Sequence, residues 1–130
     1  MAHEPLAARS ISLGLTVNDM EKSLRFYRDA LGFELGRTRE VDGKIVFAVL
    51  DAGGGELSIG QDDFAKGRDR PKGVAMRIWI RTAQDVASIA ARAKEAGVTL
   101  DGEPAPLPWG PVAFQVTDPD GFKLTIVTAT

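Results

Sequence analysis

Leu15-Thr-Val-Asn-Asp-Met-Glu-Lys-Ser-Leu-Arg-Phe-Tyr-Arg-Asp-Ala-Leu-Gly-Phe-Glu-Leu35 reads as the end of one strand, a capped helix and the start of the next strand. Asp19 is a good N-cap, because its carboxylate can accept an orphan backbone N–H of the first turn. Met20, Leu24, Tyr27 and Leu31 then recur at helical spacing and lay one apolar stripe along one face. Gly32 stands where a helix needs a left-handed residue to stop. A weaker copy follows at Asp85-Val-Ala-Ser-Ile-Ala-Ala-Arg-Ala-Lys-Glu-Ala-Gly-Val98, with Val86, Ile89, Ala90 and Ala93 as its stripe and Gly97 as its stop. The chain therefore carries one supersecondary unit twice.

Working outward, Ser10 to Val17 alternates as a strand, and Phe33 to Arg39 is the next. Asp42-Gly43 is the strongest local hairpin signal. It leads into a third strand, Lys44 to Leu50, and a fourth, Glu56 to Gly60, after the turn Asp51 to Gly55. Gln61 to Lys72 is charged, contains Gly and Pro, and reads as the linker between halves. The second half repeats the order with strand Val74 to Arg81, helix Asp85 to Ala96 and short strand Val98 to Leu100. A Pro-rich loop from Glu103 to Pro111 precedes a hairpin of Val112 to Thr117 and Phe122 to Val127. Its turn, Asp118-Pro-Asp-Gly121, suits type I geometry. The expected architecture is α+β, one domain over residues 1–130 made of two βαβββ modules at about 10–60 and 73–128, with linker 61–72.

Composition narrows the function. An apolar share of 44% and a charged share of 26% are those of an ordinary globular domain. Sixteen basic and 18 acidic residues are interspersed for a net charge of −2, which argues against nucleic acid or an anionic membrane as partner. No cysteine is present, so disulfides and thiolate chemistry are excluded. There is no signal-peptide run and no bilayer-spanning segment, and the default expectation is a cytoplasmic protein.

Leu15-Thr-Val-Asn-Asp19, Phe26-Tyr27, Leu31-Gly-Phe33, Trp109-Gly110 and Asp118-Pro-Asp-Gly121, in this order, resemble the vicinal-oxygen-chelate superfamily, the glyoxalase/bleomycin-resistance/extradiol-dioxygenase proteins. The resemblance implies paired βαβββ modules whose sheets curl into a concave cup, with helices on the outer face. It also implies a homodimer. Enzymes of that family hold a divalent metal in the cup through His and Glu side chains at equivalent positions of the two modules. Carried onto this chain, those positions are Ser12, Ser58, Ala75 (aligning Ile80 with Val17) and Thr125. None offers the imidazole or carboxylate that a catalytic divalent ion requires, so the expectation is no metal and no cofactor.

If these four positions face the cup, period-two alternation puts Arg77, Trp79, Glu56 and Lys123 on the same face. Phe47, Phe114 and Trp109 are candidates for its rim or wall. Such a cup suits a planar or amphipathic organic molecule, with Trp and Phe supplying stacking area and Arg77 pairing or stacking. The ordinary structural readings are that Trp79 is core or dimer packing, Arg77 an ion pair with Glu56 or another carboxylate, and Trp109 a loop anchor. Asp118 and Asp120 are marked as turn formers by Pro119 and Gly121. His3, the sole histidine, lies outside the strands, so no triad is available.

The reading reached from sequence is a metal-free binding protein similar to the bleomycin-resistance branch, sequestering a small aromatic drug or metabolite in a dimer cleft. The ligand-binding set is Arg77, Trp79, Trp109, Phe47, Phe114, Glu56, Ser12, Ser58 and Thr125. The alternatives are an enzyme of lyase, isomerase or dioxygenase type, without metal or with atypical ligands and drawing on Glu56, Tyr27 or Asp62 for proton transfer, and a non-catalytic interaction or regulatory subunit using the dimer surface.

Overall fold

The computed structural model describes residues 3–129. Strand β1 (Leu13–Val17) leads through Asp19 into α1 (Met20–Leu24), and strands β2 (Glu34–Val41), β3 (Lys44–Ala52) and β4 (Gly55–Gln61) complete the first module. The second repeats it as β5 (Ile78–Thr82), α2 (Val86–Glu95), β6 (Gly102–Pro106), β7 (Val112–Thr117) and β8 (Lys123–Thr128). Each module is a four-stranded mixed sheet, ordered β1-β4-β3-β2 and β5-β8-β7-β6. In each, the first and last strands run parallel and the other pairs antiparallel.

Local chemistry explains the boundaries. The Asp19 and Asp85 carboxylates accept from the backbone N–H groups of Lys22 and Ala87, as N-caps do. Asp42 and Gly43 both have positive φ, 52° and 76°, the signature of a type I′ hairpin. Past α1 the helix widens into a π-helical segment, Arg25–Ala30, where Leu31 N–H donates to Phe26 C=O. This widening buries two consecutive aromatics, Phe26 and Tyr27, rather than one regular stripe. Their rings meet edge to face at 4.9 Å, and Leu31 is left only partly buried.

Two strand expectations in the second module are corrected. Residues 74–77 are not strand, because Gly73 (φ 72°) and Ala75 (φ 58°) turn the chain before it straightens at Ile78. Val98–Leu100 is not strand either. The Gly97 and Val98 N–H groups donate back to Lys94 and Ala93 C=O to close the helix. The fourth strand forms instead at Gly102–Pro106, inside the expected Pro-rich loop. It is an edge strand, where Pro104 and Pro106 can stand without breaking a ladder on both sides.

Both modules share one core, which joins Leu15, Leu24 and Ile59 of the first to Ile78, Phe114 and Leu124 of the second. Polar contacts clamp the junction. The buried Tyr27 hydroxyl donates to Asp118 Oδ2 at 2.7 Å, and Asn18 N–H donates to Asp120 Oδ1 at 2.9 Å. Gly73 lies so close to the Gly121 carbonyl that no Cβ fits there.

The connection after β4 is no loose linker at its ends. Asp62 is buried and accepts from Lys72 Nζ at 2.9 Å, Arg70 Nη2 at 3.1 Å and Phe64 N–H at 2.9 Å. The Lys72 hydrogen bond foremost, then the Phe64 N–H, holds its carboxyl down to about 2 from an ordinary 3.8. A carboxylate whose folded pKa lies below its unfolded value stabilises the fold above the unfolded pKa and loses that contribution as pH falls through the folded one. Urea unfolding should therefore show a constant gap in midpoint between wild type and Asp62→Asn from neutral pH down to about 4. The gap should close toward pH 2. A gap independent of pH would contradict this assignment. No helix is long and apolar enough to cross a membrane among the described residues.

Candidate functional site

One face of each sheet packs on the helices and the other stays open. In the first sheet Leu15, Val17, Ala48, Leu50, Leu57 and Ile59 are buried against α1, which leaves Thr16, Phe47, Glu56 and Ser58 on the opposite face. In the second, Ile78, Leu124, Ile126, Phe114 and Val116 face the core. Arg77, Trp79, Arg81, Lys123, Thr125 and Val127 belong to the other face.

Strand register fixes which positions of the modules correspond. Gly14 pairs with Ser58, and Trp79 pairs with Thr125. Two residues before each strand partner stand Ser12 and Arg77, so Arg77, not Ala75, is the counterpart of Ser12. Ala75 lies in the irregular segment ahead of β5. Aligning Ile80 with Val17 gives Ala75, whereas the register aligns Thr82 with Val17: Val17 pairs with Gln61 and Thr82 with Thr128, equivalent places past Ser58 and Thr125.

This changes the electrostatics of the site. Arg77 Nη1 donates to Thr125 Oγ1 at 3.0 Å, so a guanidinium lies on the hydroxyl of the final-strand position. A fixed positive charge repels a divalent cation, and hydroxyls are weak ligands for one. The residues present do not fit the metal that the fold's enzymes use. Among the described residues, no group of three or more His, Asp or Glu side chains is arranged to hold an ion.

Beside Arg77 the face becomes aromatic. Trp79 on β5 and Trp109 on the β6–β7 loop approach to 6.4 Å between ring centroids, with their planes tilted by 43°. They line a cavity of about 240 Å³ with Arg81, Leu107 and Val127. Trp79 is 43% exposed and Trp109 67%, so neither is spent on the core of its own chain. Gly110 (φ 119°) closes the turn that presents Trp109, with its N–H donating to Leu107 C=O at 2.9 Å.

The other expected site residues divide. Phe114 is a correction: its register with Ile126 puts it on the core face, fully buried, and it lines no open site. Phe47 is 38% exposed on the open face of the first sheet. Ser58 is half-buried on that face, and Ser12 lies exposed just ahead of β1. Thr125 is buried beneath Arg77. Glu56 is exposed opposite Asp51 and makes no ion pair with Arg77. Arg81 and Val127 were missed, although the alternation that selects Arg77, Trp79 and Thr125 reaches both two residues on.

Two of the three expected acid–base groups, Tyr27 and Asp62, are committed elsewhere. Burial above all, then the Asp118 charge, drives the Tyr27 hydroxyl far above its ordinary value. Asp62 is locked in its ion pairs. Five cavities of about 240 to 680 Å³ among the described residues have linings that include neither Ser12, Ser58 nor Thr125.

Paired βαβββ modules with one covered and one open sheet face define a class of two-module cup proteins. A model of the Glyoxalase/Bleomycin resistance protein/Dioxygenase superfamily matches residues 9–126, and the chain belongs to that superfamily. Among solved structures it is similar to TioX from Micromonospora sp. ML1, at TM-score 0.77 and 20% identity over 95% of this chain and 100% of that one, a likeness of fold. It is also similar to TnmS3, an antibiotic binding protein from Streptomyces sp. CB03234, at TM-score 0.71 and 28% identity over 97% of this chain and 100% of that one. A superfamily member from Sphaerobacter thermophilus DSM 20745 aligns at TM-score 0.72 and 28% identity over 95% and 98% of the two chains. A search of curated proteins returned no match.

Proposed function

We propose that this protein is a metal-free receptor that sequesters a small aromatic or amphipathic molecule, a drug or metabolite, on the open face of the second sheet. The observation that carries the reading is the exposed Trp79–Trp109 pair beside Arg77. Two indoles give a planar ligand stacking area on two sides, and Arg77 and Arg81 offer charge-assisted hydrogen bonds to an anionic or carbonyl group. Its likeness to TnmS3, an antibiotic binding protein, supports the same class of ligand. A cavity of about 240 Å³ is small for a drug-sized molecule. The full site on this reading is a cleft closed by the first sheet of a second copy, whose Phe47 and Ser58 form the facing wall in a homodimer.

The test is a titration of aromatic antibiotics, an anthracycline and bleomycin among them, together with the dye anilinonaphthalene sulfonate, followed by tryptophan emission. Saturable quenching by at least one of them is expected, since both tryptophans lie at the site. No quenching by any aromatic compound would count against the reading.

A further inference from the structure

Two cations stand side by side at the start of β5 and β8. The parallel register that pairs Ile78 with Leu124, carried back one residue, sets Arg77 opposite Lys123. Both side chains are exposed, and neither makes an ion pair among the described residues. One acid lies near them. Asp101 accepts from the hydroxyl of Thr117, the cross-strand partner of Lys123, and stays beyond ion-pair distance of the ammonium. Like charges directly opposite one another across strands repel and lower stability. An anion seated between them reverses the sign of that interaction.

Arg77 is also held in place. Its Nη1 donates to Thr125 Oγ1 at 3.0 Å, and Thr125 is buried and is itself the cross-strand partner of Trp79. A guanidinium carries five N–H donors. Among the described residues, that hydroxyl is the one acceptor Arg77 finds. Arg77 and Lys123 line a cavity of about 480 Å³ together with the exposed Val74 and Met76, and no Asp or Glu contributes to its lining. Two residues further along β5 the same face presents Trp79, whose ring lies against Trp109. Two strand residues span about 6–7 Å. A fixed pair of positive charges thus stands one short step from a stacking surface.

We propose that the ligand is an aromatic acid: a planar ring system on Trp79 and Trp109, bearing an oxyanion (carboxylate, sulfonate or phosphate) that Arg77 and Lys123 bind about 6–7 Å along β5. This rests on the reading of the protein as an aromatic receptor, and it adds the charge of what is received. The planar guanidinium matches two oxygens of such a group with parallel N–H···O bonds, while the ammonium acts as a point charge beside it. The indoles accept any flat ring. The cations therefore decide between an acid and a neutral or cationic molecule built on the same ring.

A matched pair of dyes tests this. 1-Anilinonaphthalene-8-sulfonate and N-phenyl-1-naphthylamine share their rings and differ by the sulfonate. The wild type should bind the sulfonate about tenfold more tightly in low salt, and added salt should narrow that gap. Inorganic sulfate should displace the sulfonate dye and leave the neutral one in place. Arg77→Gln and Lys123→Gln, both at exposed positions, should each weaken the sulfonate by about threefold to tenfold and move the neutral dye by less than about twofold. Equal affinity for the two dyes in the wild type, or variants that weaken both alike, would overturn the acid assignment and leave the aromatic receptor standing. Saturable binding of neither dye, and of no antibiotic, would defeat the receptor reading itself. If Arg77→Gln loses the wild-type circular dichroism spectrum, the comparison at Lys123→Gln decides.

Discussion

Replacing Asp118 with alanine is expected to lower the stability of this protein by roughly 3–5 kcal/mol. The carboxylate is 4% exposed and accepts three hydrogen bonds: from the Tyr27 hydroxyl at 2.7 Å, from Asp120 N–H at 2.9 Å and from Phe122 N–H at 2.8 Å. The last two bonds build the β7–β8 turn, and the first ties that turn to the first module's helix. Alanine leaves three donors without a partner, one of them the hydroxyl of a fully buried tyrosine, and each orphaned buried group costs about 1–3 kcal/mol. Tyr27→Phe removes only the inter-module bond and should cost about 1–2 kcal/mol. Urea titration of both variants checks the order. Equal losses would mean that Asp118 acts through the clamp to Tyr27 alone.

The second large effect falls on binding. Trp79→Ala should weaken the interaction with any aromatic molecule that quenches wild-type emission by tenfold to a hundredfold, about 1.4–2.8 kcal/mol. A stacked indole contributes about 0.5–1.5 kcal/mol beyond the area it buries, and loss of its buried area supplies the rest. Folding stability should move by less than about 1 kcal/mol, because the side chain is 43% exposed and belongs to no buried cluster. Phe114→Ala should do the reverse, costing about 3–5 kcal/mol of stability from a fully buried position. Parallel titration and unfolding of the two variants separates a ligand wall from a core residue.

Much of the fold is legible in local chemistry. Asp19, Asp85, Gly32 and Gly97 mark both helices, and Asp42-Gly43 and Asp118 to Gly121 mark two turns, because each satisfies or frees backbone groups within a few residues. What escaped depends on partners distant in the chain. Gly102–Pro106 is a strand because β7 pairs with it, and nothing in its Pro-rich composition says so. Phe114 was placed on the wrong face because Ala113 and Phe114 are both buried, so alternation along β7 gives no contrast. The displacement from Ala75 to Arg77 came from aligning Ile80 with Val17, when strand pairing makes Thr82, two residues on, the equivalent of Val17. That shift matters most for function, since it replaces an inert methyl by a guanidinium held over Thr125.

The most direct test of a receptor that needs no metal is a tryptophan-emission titration of chelator-stripped protein with an aromatic compound that quenches the wild type, repeated after zinc, nickel, manganese and ferrous ions are each restored. A pocket built on Trp79, Trp109 and Arg77 should give the same dissociation constant, within twofold, in every case. Quenching that appears only once one of these ions is added, at one ion per chain, would contradict it.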